Sequence, residues 1–370
     1  MPAGVVIAGA GGPVGRLLKQ TFAVTGAVAT LSRGVSKDGR PGAVPKDGRP
    51  GAVEEHGRPG AVEEHGRPGA VPKDGRPGAV EEHGRSGAVP KDGRLRRYLW
   101  NPEQGHVSAE GRAALAASDL WIHLAGESVS AGRLDAEHQR RLVESRVAAL
   151  RTLIGEWRQL GRPAVHLMVA SAMGFYGNTG DLSVDEAASA GRTRLARVCE
   201  VHEAEARAVA AEFAAAGARL SMLRIGVVLH PGAPALDQLL GPIRLGFGGP
   251  LGDGSTWWPW ISGRDLARAV RHIAEHVSDP VADGFAVWNL CAPGSATQAE
   301  IGRALAVALR RPWWLPVPAW VLRLGLGALA NEMLFTPCRG VPAHLLETGF
   351  AFQDAAMTEA TARELVHGPF

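Results

Sequence analysis

The sequence predicts an α/β chain built on a doubly wound parallel sheet, and three observations carry that expectation. Residues 4 to 15 run from a short apolar stretch, Val5-Val6-Ile7, into a cluster of glycines, and an amphipathic segment follows at once. From there to about residue 230, apolar runs of strand length alternate with segments of helical periodicity. Beyond about residue 230 the alternation loosens into glycine, proline and tryptophan, which reads as a smaller substrate-side lobe at the C-terminal end.

The opening motif sets the expected chemistry. Gly9, Gly12 and Gly15 stand three apart between the first strand and the first helix. Glycines let a backbone approach a pyrophosphate, and a helix N-terminus offers unpaired N–H groups with partial positive charge. Pro13 suits a first helical turn because its missing N–H costs nothing there, and Val14 continues that turn. A Rossmann-type dinucleotide site is expected, with Gly9, Gly12, Pro13, Val14 and Gly15 around the diphosphate. A structural turn without ligand is the competing reading.

The second strand, expected over 27–31, ends Leu31-Ser32-Arg33. An acidic residue at that place bonds the ribose 2′-hydroxyl of NAD, whereas a basic one accommodates the 2′-phosphate of NADP. Arg33 carries a permanent charge with several donors, and Ser32 can add one bond. NADP is therefore the expected cofactor, against the alternative of a surface arginine at a strand end.

Residues 35–94 interrupt this pattern with a nonapeptide repeat, and no Leu, Ile, Met, Phe, Tyr or Trp occurs between Val35 and Arg94. Such a segment buries too little apolar surface to offset the entropy of ordering it. Its triplets break the collagen rule, and its prolines and Glu-Glu-His units oppose a calcium-binding β-helix. The expectation is a solvated low-complexity loop. Metal binding by His56, His65 and His83 and contact with an unknown partner are the minor alternatives.

Past the repeat, the expected order is a strand at 96–99, a helix at 109–117, a strand at 120–124 and a long helix at 135–160. A strand at 165–170, an alanine-rich helix at 195–216 and a strand at 220–225 follow. A helix begins near Arg264, and 315–335 reads as a buried amphipathic helix. The expected organisation is a dinucleotide-binding domain from 1–34 and 95–230, an insertion at 35–94, and a lobe from 231–370.

Composition narrows the function classes. Lys plus Arg number 40 against 37 Asp plus Glu, a formal charge of only +3, so no electrostatic footprint for nucleic acid is expected. Cys199, Cys291 and Cys338 are odd in number and scattered, which gives neither a zinc pattern nor a disulfide framework and points to a reducing cytoplasm. The beginning lacks signal-peptide regions, and 315–335 carries Arg323 and Glu332, so no membrane association is expected. A homodimer is left open.

Later motifs resemble a known family. His123-Leu124-Ala125-Gly126-Glu127, Ser171-Ala172-Met173-Gly174-Phe175-Tyr176-Gly177 and Leu223-Arg224-Ile225-Gly226-Val227-Val228-Leu229 are similar to signatures of one atypical branch of the extended short-chain dehydrogenase/reductases. So are Leu245 to Gly252, Trp260-Ile261 with Asp265, and the stretch from Arg311-Pro312 to Phe352, which resembles a small C-terminal domain of unknown function. The branch is the NAD-dependent epimerase-like "epimerase family protein" group, related to short-chain dehydrogenase/reductase family 39U. The resemblance spans everything except the repeat. It implies a nucleotide-binding oxidoreductase-like fold and says little about substrate.

Ordinary members of the wider superfamily use a serine and a Tyr-x-x-x-Lys pair, in which lysine lowers the tyrosine pKa for proton exchange with a carbonyl. Here Leu195 falls at the tyrosine position and Cys199 at the lysine position. The atypical branch shares that loss. The resemblance makes Ser171 the superfamily serine, which would donate to the reacting oxygen. Tyr176 and Glu127 are the other catalytic candidates, and Leu124, Ala125 and Gly126 would flank the cofactor. Trp257, Trp258 and Trp260 read equally as a substrate pocket or as core, and Ser262 replaces the branch's histidine. The expected function is an NADP(H)-binding reductase or epimerase acting on an unidentified small molecule. The alternatives are a non-catalytic NADP-dependent sensor or scaffold and, more weakly, an interaction protein working through the repeat.

Overall fold

The computed structural model describes residue 2 and residues 4–24, 27–33, 95–276 and 284–368. The repeat expected over 35–94 lies outside the described residues. In chain order the strands are β1 (Gly4–Ala8), β2 (Ala27–Ser32), β3 (Arg96–Asn101), β4 (His106–Val107), β5 (Leu120–His123), β6 (His166–Ala172), β7 (Ser183–Val184), β8 (Arg219–Ile225), β9 (Val227–Leu229), β10 (Trp257–Trp258), β11 (Trp260–Ser262), β12 (Phe285–Leu290), β13 (Ala296–Thr297) and β14 (Arg339–Gly340). The helices are α1 (Pro13–Ala23), α2 (Ala109–Ala116), α3 (Ala136–Gln159), α4 (Arg194–Arg207), α5 (Ala210–Ala215), α6 (Pro234–Arg244), α7 (Gly263–His276), α8 (Gln298–Ala308), α9 (Ala319–Leu326), α10 (Ala328–Leu334), α11 (Ala343–Glu347) and α12 (Glu359–His367).

The main sheet runs β12-β8-β6-β5-β1-β2-β3-β4. Its strands are parallel except β4, which turns back antiparallel on β3. The chain first winds outward from β1 through β2 and β3. It then returns to the far side of β1 with β5 and winds the other way. The switch therefore falls between β1 and β5, which leaves a crevice outside their carboxyl ends.

Because strand side chains alternate, each strand feeds two cores. Val6 and Ala8 of β1 join Leu150, Leu153, Trp157 and Phe213 under α3 and α5. Val5 and Ile7 join Leu18, Phe22, Leu266 and Val270 under α1 and α7. A third cluster around Leu236, Leu240, Trp258, Trp260, Ile301 and Leu365 holds α6, α8 and α12 together as the C-terminal lobe.

Local chemistry fixes the helix starts. Asp135 caps α3 by accepting from His138 N at 2.8 Å. Thr297 and Glu300 form a reciprocal capping box on α8.

Three expectations change. First, the boundary at 230 does not separate sheet from lobe, because β12 completes the main sheet from residues 285–290. Its burial on all six positions came from pairing with β8, a long-range contact. Second, the helix expected over 195–216 is two helices, α4 and α5. The break places Phe213 in a stack on Trp157, with ring centroids 4.0 Å apart. Third, 315–335 is not one buried helix. Gly327, at φ +60°, separates α9 from α10, and α9 leaves Trp320 and Leu324 exposed. Among the described residues no helix is long and apolar enough to cross a membrane.

Candidate functional site

The first wall of the crevice is the turn between β1 and α1. Gly9 N donates to Leu31 O at 3.2 Å, and Leu124 N donates to Ala8 O at 2.9 Å, so the turn is tied to the ends of both neighbouring strands. Gly9 has φ +81°, and a Cβ there would stand 2.5 Å from the Ala125 backbone. A Cβ on Gly15 would stand 2.6 Å from Ala10 Cα. These two glycines serve packing between backbones. Gly12 differs, because a Cβ there meets nothing within 4 Å. It is also the N-cap of α1, extended at φ −74° and ψ 172°, with no side chain capping the helix. Pro13 follows at the first turn. Uncapped N–H groups beside open space suit a diphosphate, so these residues fit a dinucleotide. Arg16 Nη1 bonds Gly11 O at 2.8 Å and steadies the turn from outside.

Ser32 ends β2 and Arg33 follows it, adjacent to this turn. Arg33 Nη1 lies 3.6 Å from Glu103 Oε1, with both side chains substantially exposed. Such a pair is weak and leaves the guanidinium able to turn to a stronger anion.

The opposite wall is Leu124-Ala125-Gly126 after β5. Gly126 is required by Arg146 of α3: a Cβ on Gly126 would lie 2.9 Å from Arg146 Cγ and 3.2 Å from its Cζ. Glu127 is held by α3. Its N–H donates to Ser145 Oγ at 2.9 Å, and its carboxylate accepts from Arg141 Nε at 3.2 Å, with His138 Nε2 3.6 Å away. All three partners lie on α3, so Glu127 anchors the loop to that helix.

Ser171 sits near the end of β6, and its surroundings differ from expectation. Its hydroxyl donates to Glu203 Oε1 at 2.6 Å. Glu203, on α4, also accepts from Arg224 of β8 through Nε at 3.1 Å and Nη2 at 2.8 Å. The Ser171 proton is thus committed to Glu203, where the family serine was expected to donate to the reacting oxygen.

Tyr176 is 3% exposed. Its hydroxyl donates to Asn289 Oδ1 at 2.7 Å and accepts from Arg224 Nη1 at 2.7 Å. Burial pushes its pKa up. It holds Arg224 in place. Phe175 closes the cage, with its ring centroid 3.5 Å from Arg224 Cζ.

Leu195 packs with Leu134, Leu142 and Val198, and burial pushes the Cys199 thiol up to about 11. Helix α4 thus carries neither a phenol nor a cation at those places. Behind it, His123 and His202 meet edge to face at 5.6 Å. Burial pulls His123 down to about 4 and His202 well below its ordinary value, so both are neutral at neutral pH. Trp258 and Trp260 bond Leu334 O and Gly294 O and belong to the core, while Trp257 bonds Asp181 Oδ1 at 2.8 Å. Ser262 caps α7 by accepting from Asp265 N at 3.2 Å.

Three members of this site were missed in the sequence. Glu203 gave no signal of its own. Arg224 did, since it is a charge inside an apolar strand. Arg146 gave none, being one of several arginines along α3.

Comparisons with known proteins follow the same architecture. A family model described as the NAD dependent epimerase/dehydratase family matches residues 105–291, and a domain of unknown function (DUF1731) matches residues 317–363. The chain is 34% identical over 263 residues to epimerase family protein Mb2239 of Mycobacterium bovis, covering 70% of this chain and 82% of that protein. It is 30% identical over 260 residues to epimerase family protein SDR39U1 of Bos taurus, covering 68% and 84% respectively. Among solved structures, human epimerase family protein SDR39U1 (isoform 2) with NADPH matches with a TM-score of 0.67 and 22% identity over 98% of each chain. UDP-glucose 4-epimerase from Bifidobacterium longum in complex with NAD+ and UDP matches with a TM-score of 0.62 and 13% identity, again over 98% of each.

Proposed function

The chain belongs to the NAD dependent epimerase/dehydratase family, in its group of epimerase family proteins, and from that premise we propose that it binds NADP(H) and works as an oxidoreductase or epimerase on a small molecule. The observation that carries this reading is the uncapped α1 N-terminus opening on free space at Gly12, at the switch point of the sheet. Gly9, Gly12, Pro13, Val14 and Gly15 line the diphosphate, and Leu124, Ala125 and Gly126 form the facing wall. Arg33, with Ser32, takes the 2′-phosphate, because a basic residue directly follows β2 and no carboxylate stands at either position. The human relative whose fold matches was solved with NADPH, which agrees with that choice.

The cofactor, when bound, supplies hydride acceptance or donation at its nicotinamide. The chain's own contribution centres on Ser171, whose oxygen accepts a bond from a substrate hydroxyl while Glu203 holds the serine proton. This pair takes the place of the missing tyrosine and lysine in holding a proton near the reacting carbon. Leu195 and the neutral Cys199 favour a second reading, an NADP-dependent sensor without turnover.

Titration by nicotinamide fluorescence tests the assignment. Wild type is expected to bind NADPH about tenfold or more tightly than NADH, with the preference lost in Arg33→Ala. Equal affinity for both nucleotides in wild type removes the 2′-phosphate assignment. Bound NADPH that no carbonyl substrate in a broad panel oxidises selects the sensor.

A further inference from the structure

The place that carries a lysine in ordinary members of the wider superfamily is Cys199 here, and its thiol is neutral. A different cation stands opposite. Arg146 lies on α3 against the crevice wall, so close to Gly126 that any side chain at 126 would displace it. Gly126 belongs to the segment on which the glycine turn rests, since Gly9 abuts Ala125.

The bonding of Arg146 is incomplete. Among the described residues the one hydrogen bond of its side chain is from Nη1 to Leu142 O, on its own helix, at 2.9 Å. The nearest wall carboxylate, Glu127, is taken by Arg141 at 3.2 Å. Arg224 makes the contrast. It is buried while Arg146 is half-buried, and Glu203, Tyr176 and Glu186 O occupy its donors. Burial lowers the Arg146 pKa below the ordinary arginine value, which marks a desolvated charge without full compensation. The neighbouring imidazoles of His123 and His202 are neutral and add no competing cation. A desolvated guanidinium with open donors recognises clustered oxygen acceptors.

We propose that Arg146 binds oxygen acceptors on the nicotinamide half of the dinucleotide, supplying from α3 the positive charge that Cys199 removes from α4. This rests on the NADP(H) reading above. It gives the open donors of Arg146 a partner.

The test separates the two halves of the ligand. NADPH and adenosine 2′,5′-bisphosphate, which lacks the nicotinamide half, are titrated against wild type, Arg146→Met and Arg146→Lys. The methionine variant is expected to bind NADPH about tenfold or more weakly, with affinity for the bisphosphate unchanged and its denaturation midpoint retained. Lysine, which keeps the charge, recovers part of the loss. NADPH affinity unaltered in Arg146→Met overturns the proposal, as does an equal loss for both ligands. Wild type that binds neither ligand sinks the NADP(H) reading itself, a result distinct from either of these.

Discussion

Ser171 donates its hydroxyl proton to Glu203 at 2.6 Å, from a strand to a helix 32 residues further along the chain. Everything around this bond is arranged to hold Glu203 as an acceptor. Arg224 grips both carboxylate oxygens, and Tyr176 and Phe175 hold Arg224.

Removing the charge of Glu203 leaves Arg224 buried and uncompensated. Glu203→Gln is therefore expected to lower unfolding free energy by about 3 kcal/mol or more in urea denaturation. The double variant Glu203→Leu with Arg224→Met should recover most of it, because no buried charge remains. A loss below about 1 kcal/mol in the single variant would show that the pair is solvated.

The glycine turn separates packing from binding. Gly15→Ala drives a Cβ into the Ala10 backbone and should cost about 2 kcal/mol of stability. Gly12→Ala meets open space and keeps an allowed backbone, so its stability should change by less than about 1 kcal/mol. Its NADPH affinity should nevertheless fall about tenfold, since the methyl occupies the approach to the α1 N-terminus. Calorimetry and denaturation on the same samples decide this. Unchanged affinity in Gly12→Ala would place the diphosphate elsewhere.

Acid should destabilise the fold through His166. Its Nε2 pairs with Ser221 Oγ at 2.8 Å, and burial pulls its pKa from 6.5 down to about 3. The unfolded chain takes up the proton at the higher pH, so this stabilisation is fully present above pH 6.5 and declines as pH falls toward 3. Between pH 6.5 and 4 the loss is on the order of a few kcal/mol, and His166→Gln should show a shallower decline of its urea midpoint over that window. Parallel curves for the two proteins would refute the buried neutral imidazole.

Much of the crevice was legible because its determinants are local. A glycine with positive φ, a proline at a helix start and an arginine closing a strand act over a few residues, and sequence order exposes them. The catalytic candidates were legible only as residue types. Ser171, Tyr176 and Glu127 were correctly noticed as polar groups near strand ends, yet what each one does depends on its partner. Glu127 has partners on α3, Tyr176 has Asn289 and Arg224, and Ser171 has Glu203. No spacing rule encodes a bond that spans 113 residues, as Tyr176 to Asn289 does.

The sequence by itself determined the alternation of strand and helix, the glycine turn before α1 and the arginine after β2, because periodicity and backbone preference are written residue by residue. Only the tertiary structure decided that β12 completes the sheet, that Ser171 donates to Glu203, and that Arg146 lies against Gly126. The physical reason is that hydrogen-bond direction and desolvation are properties of pairs, and folding alone chooses the pairs.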